Sequence, residues 1–312
     1  MENNINPNPN PDPNPNPNPY LAAAETGKNN WWRYLLGYIF IVGTWLILGS
    51  LPIFVVAILA QMDGDPATLL TVSGNIVGYE LATFWALLLS FVPLFFAVLI
   101  AVGLIHRRPL RTLITGAPRI RWGRLFAGGG VWIILAIITS VVESLLYPGR
   151  YEFSFDAAAL APYVLPALLL IPIQAGAEEL LMRGYLVQSV GLKIKNIWVL
   201  SILSGVPFAL LHLGNPEVSS SLILMMLFYF SFGFFAALLT LKDGGMELAL
   251  GMHIGNNLLT LLVNYDSSAL VNPSVFTVNV LDPVYGLIAP LVAMAILYVI
   301  FFILKRSDHI AG

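Results

Sequence analysis

The sequence predicts an all-α fold: a polytopic membrane helix bundle of about eight transmembrane helices, with both termini cytoplasmic. Three observations carry this. Of 312 residues, 58% are hydrophobic. Only 10% are charged, against about 25% in an ordinary soluble domain. The apolar residues form long unbroken runs, not the alternation of a membrane barrel. A mean hydropathy of +0.81 agrees with these counts. With 15 Lys/Arg against 17 Asp/Glu, there is no basic excess for a nucleic-acid partner. The chain has no cysteine, which excludes disulfides, thiolate zinc sites and cysteine nucleophiles.

Residues 1–30 stand apart. Pro7 to Pro19 reads PNPNPDPNPNPNP. Proline has no amide donor and pushes the preceding Asn out of the α region. The expectation is a disordered Asn/Pro-rich cytoplasmic tail. It lacks the basic start and short apolar core of a signal peptide.

Eight apolar segments follow, near 34–60, 80–104, 126–146, 160–188, 197–213, 222–241, 246–263 and 285–304. A span needs about 20 residues, within a range of about 17–25. The first, second and fourth run long, and the fifth and seventh are near the lower limit. Trp31 and Trp32 sit where an interfacial aromatic belt belongs. Of the 15 basic residues, 14 fall on one side of the alternating pattern, and Arg150 is the exception. The positive-inside rule then puts both termini in the cytoplasm. This pattern closes only with an even number of spans. No internal repeat is visible, so transporter symmetry has no support.

A charge at mid-bilayer costs roughly 2.5–3.5 kcal/mol on insertion scales, so the charges placed there are informative. The fourth segment holds Glu178, Glu179 and Arg183, the fifth His212, and the seventh His253, Asn256 and Asn257. Glu179 and Arg183 are four residues apart and can pair on one helix face. Glu178 lies about 100° round the helix, with no partner apparent on its own segment. Phe208 and His212 share the same four-residue spacing, as do His253 and Asn257. Glu80, Glu143 and Glu247 lie nearer segment ends or stand alone, and read as interfacial or structural.

A carboxylate, two histidines and an amide form a hydrolytic set. A desolvated glutamate takes a proton from water, and His and Asn donors stabilise an oxyanion. The same residues have metal character, since Glu178, His212 and His253 would serve as three zinc ligands. No His-Glu-x-x-His motif is present. That tilts the reading toward a metal-free glutamate mechanism without deciding it. Intramembrane Glu and His also build proton relays, so a proton-coupled transporter is an alternative.

Glu178-Glu179-x-x-x-Arg183-Gly184, Phe208-x-x-x-His212 and His253-x-x-x-Asn257 occur in that order within apolar segments. Together they resemble the three-motif signature of the CAAX-protease and bacteriocin-processing family of intramembrane endopeptidases. Its best-known branch is the type II CAAX prenyl endopeptidase. The resemblance covers about Leu160 to Val263. It implies that Glu178 activates the attacking water and His212 assists. It implies His253 and Asn257 as the oxyanion hole, with Glu179 and Arg183 as a supporting pair. It leaves the cofactor open, zinc or none. It also admits a non-catalytic scaffold or immunity protein on the same fold.

The implied organisation is a tail (1–30), three N-terminal helices (31–158), a catalytic core (159–265), and a last helix with a short cytoplasmic tail (266–312). The implied partners are the lipid bilayer of the cytoplasmic membrane and a membrane-associated protein or peptide substrate, with no nucleic acid. Helix rise places His212 roughly 22–24 Å from the cytoplasmic end, deeper than Glu178 or His253. Tilt, a kink at Pro172 or Pro207, or a deeper start for the fifth segment is therefore expected, with a polar cavity open to the cytoplasm.

Overall fold

A computed structural model describes residues 18–65, 68, 76–265 and 268–304. The Asn/Pro tract up to residue 17, Asp266, Lys305 and Arg306 lie outside the described residues.

All eight apolar segments are helical. A short helix α1 (Pro19–Glu25) precedes them. Six are long and apolar enough to cross a membrane among the described residues: α2 (Trp31–Met62), α3 (Glu80–Ile105), α4 (Trp122–Leu146), α5 (Ala157–Gly191), α7 (Leu222–Asp243) and α9 (Pro283–Leu304). The other two are shorter: α6 (Ile197–Leu211), of 15 residues, and α8 (Glu247–Leu258), of 12. At about 1.5 Å per residue they span only about 22 and 18 Å. These two short helices carry the predicted histidines.

Caps set the helix ends. Asp156, Asn196 and Asp282 accept the first free amides of α5, α6 and α9. Gly244, at φ 71°, ends α7 in the left-handed conformation that glycine adopts without a Cβ clash. The outer face is a belt of large apolar side chains, with Ile39, Leu46, Phe54 and Ile223 all exposed. In water this would be an interaction liability; against lipid tails it is the matching surface.

Loops close the two ends differently. At one end the Lys28 amide donates to His106 O and Thr115 bridges Gly245. Arg121 pairs there with Asp243 and Glu247. At the other end β1 (Tyr151–Phe153), β2 (Val263–Tyr265) and β3 (Phe276–Val278) form a small sheet in the order β1-β3-β2. Thr277 lies opposite both Glu152 and Asn264. Arg150 there binds Glu143 and Asp282. Glu143 and Glu247 are thus buried ion-pair members, in line with their structural reading.

The expected tail is corrected between residues 18 and 30. Asn18 caps α1, and Tyr20, Leu21 and Ala24 are fully buried. The Tyr20 hydroxyl donates to Leu113 O at 2.7 Å, and Gln188 donates to Tyr20 O at 3.0 Å. The run of prolines drew attention from three apolar side chains just beyond it, on one turn of helix.

Helices α4 and α8 pack more closely than side chains allow. A Cβ on Gly251 would lie 1.9 Å from Leu125 O, and one on Gly128 would lie 2.4 Å from Leu248 O. Small residues permit this approach. Gly251→Ala is therefore expected to push the helices apart and lower the unfolding midpoint, by about 1–3 kcal/mol as overpacking usually costs. Thermal unfolding of the purified protein checks this effect.

Candidate active site

Helix α5 is continuous through Pro162, Pro166 and Pro172 and enters a π-helical stretch at Leu180–Val187. The change of helical winding thus lies just after Glu179. Glu179 and Arg183 are fully buried and paired at 3.0 Å across one turn. Arg183 also donates to Gly233 O at 2.9 Å and lies over the Phe208 ring at 5.1 Å. This joins α5, α6 and α7.

Glu179 does more than pair. Its Oε1 lies 2.9 Å from His253 Nδ1. A proton on Nδ1 donated to this carboxylate fixes the ring and turns Nε2 toward Glu178. His253 Nε2 is 3.4 Å from Glu178 Oε2. The Glu178 side chain retains 13% exposure, whereas Glu179 has none. Of the two adjacent glutamates, only Glu178 lines the cavity.

His212 is the residue that ends α6. Its Nδ1 lies 2.7 Å from Phe208 O, which explains the four-residue spacing of that motif. With the Nδ1 proton donated there, Nε2 is left as the acceptor. The ring stacks on Tyr229 at 4.3 Å. Tyr229 also contacts Glu217, whose carboxyl is pushed above the usual range by burial.

Asn257 donates to Gln174 Oε1 at 2.7 Å, and Gln174 donates in turn to Glu178 Oε1 at 2.7 Å. Trp132 donates to Asn256, which donates to Asn257. Gln174 is therefore the same-helix partner that Glu178 was expected to lack. Its signal was available, since it lies four residues before Glu178 in an otherwise apolar run.

Glu178, His212, His253 and Asn257 line one cavity of about 520 Å³. The cavity brings His212, at the far end of α6, together with His253, six residues into α8. Helix α6 stops at His212, and α8 gives way to β2 soon after Asn257. Loops continue from there toward the sheet end. Irregular backbone at membrane depth is tolerated where it lines a cavity. The cavity also reaches Glu143, Glu217, Ser268 and Tyr285. It extends toward the acidic sheet end, not toward the basic end expected from the sequence.

Among the described residues, no three His, Asp or Glu side chains are gathered closely enough to hold a metal ion. The trio of Glu178, His212 and His253 is thus not gathered into a three-ligand zinc centre in this arrangement.

Fold and site define a multi-pass helical membrane protein with a carboxylate, histidine and amide cluster in a buried cavity. The family model for type II CAAX prenyl endopeptidase Rce1-like proteins matches residues 159–259. The chain is 31% identical over 265 residues to the uncharacterized protein YyaK of Bacillus subtilis (strain 168), covering 83% of this chain and 87% of that relative. No solved structure matches. The chain belongs to this Rce1-like, CAAX-protease and bacteriocin-processing family, a family of membrane proteases.

Proposed function

We propose that the protein is an intramembrane endopeptidase of the glutamate type, cutting a peptide bond in a membrane-associated protein or peptide. The observation that carries this is one cavity-lining glutamate, Glu178, sharing that cavity with His212, His253 and Asn257. Glu178 removes a proton from the attacking water, and Gln174 holds its other oxygen. His212 Nε2 takes part in orienting that water. One Asn257 amide proton goes to Gln174, and the second is free for the developing oxyanion. His253, held through Nδ1 by Glu179, donates from Nε2 to the same oxyanion. Glu179 and Arg183 hold His253 in place.

In this reading all eight helices lie within the cytoplasmic membrane, α6 and α8 included, with the basic end at the cytoplasm. The test uses purified protein in vesicles with a membrane-tethered peptide. His212→Ala is expected to lower the cleavage rate about 100-fold, at the low end for lost acid–base assistance. Normal insertion is checked by protease protection. An unchanged rate rejects the reading. Elemental analysis of the active protein is expected to find zinc well below one atom per chain.

A further inference from the structure

We infer that the site is entered from the sheet end of the bundle, on the face away from the cytoplasm. Its substrate is then a peptide segment presented at the outer membrane surface. This rests on the proteolytic reading above and adds the side of access.

The charges orient the two ends. Outside the buried cluster, every basic residue described lies at the end joined by His106, Thr115 and Gly245, except Arg150. The excess of Lys and Arg marks that end as cytoplasmic. The sheet end carries Glu152, Asp156, Glu217 and Asp282. The loop at 215–217 belongs there too, since the Ala269 amide donates to Glu217 at 2.8 Å.

The cavity follows the same division. Its walls reach Glu143, Asn215, Glu217, Ser268, Leu281 and Tyr285, all at the sheet end. No residue from 106–121 or 243–245 lines it. Toward the cytoplasm the path is filled. Arg183, Leu113, Met246, Glu247 and Leu248 are fully buried between the cluster and that face. Tyr20 and Leu21 of α1 close over them with no exposure. The short helices give the physical cause. Both α6 and α8 start at the basic end and stop short of a full span, so the missing helix ends lie on the sheet side. Water and peptide therefore reach Glu178 through the gap left by those missing ends.

The absence of cysteine makes a direct test available. Ser268→Cys and Lys193→Cys are made singly, and intact cells are treated with a membrane-impermeant maleimide. Ser268→Cys is expected to label in intact cells, and Lys193→Cys only after permeabilisation. Any other pattern overturns the inference, including a Ser268→Cys that labels under neither condition. A second arm tethers the same peptide to either face of vesicles with protein of known orientation, with Glu178→Gln as the blank. Cleavage confined to the sheet side supports the inference, and cleavage confined to the basic side overturns it. No cleavage on either side counts against the proteolytic reading, while the labelling still decides the side of access.

Discussion

Arg183→Ala is expected to cost about 3–5 kcal/mol of stability, the usual penalty for leaving one member of a buried ion pair uncompensated. Arg183 and Glu179 are both fully buried, and the guanidinium also holds Gly233 O on α7. Removing it strands the Glu179 carboxylate against His253 alone. The drop should appear as a lower unfolding midpoint in detergent. Pairing Glu179→Gln with a methionine at 183 should recover much of the loss, because an apolar side chain of similar length leaves no buried charge. A double-mutant cycle on the two positions isolates their coupling. Recovered stability should not restore cleavage, since His253 loses the carboxylate that orients it.

Glu178→Gln is expected to lower kcat about 10²–10⁴-fold, the range for loss of a positioned proton acceptor. The fold should survive this change. Glu178 takes part in no buried ion pair with Arg, and an amide can keep the bond to Gln174. KM should stay near its wild-type value, because the loss falls on the chemical step and not on peptide contacts. Single-turnover kinetics with a membrane-tethered peptide measure both. Glu179→Gln should differ, with a loss of stability as well as rate. That contrast separates the cavity-lining carboxylate from the buried one beside it.

Much of this site was legible in the sequence because the membrane makes polar residues costly. Glu178, Glu179, Arg183, His212, His253 and Asn257 stand out against apolar surroundings, and the spacings Glu179–Arg183 and Phe208–His212 map onto actual contacts. What spacing could not show was contact between helices. The bond from Glu179 to His253 joins residues 74 apart in sequence. Counting rise along α6 gives the distance of His212 from the helix's own start, but not the offset or tilt of one helix against another. Gln174 escaped notice because attention went to formal charge, and an uncharged amide makes the link between Glu178 and Asn257.

The small helix α1 has a consequence for the order of assembly. Its partners come late in the chain: Asn18 bonds Leu241 O, 223 residues on, and Tyr20 O receives Gln188, 168 residues on. Contacts so distant in sequence form only after the intervening chain has been made and inserted. This short segment, made before its partners, is thus among the last to settle. Tyr20 and Leu21 find their burial site once residues 110–113 and 188–191 are in place, and Asn18 gains its bond only with α7.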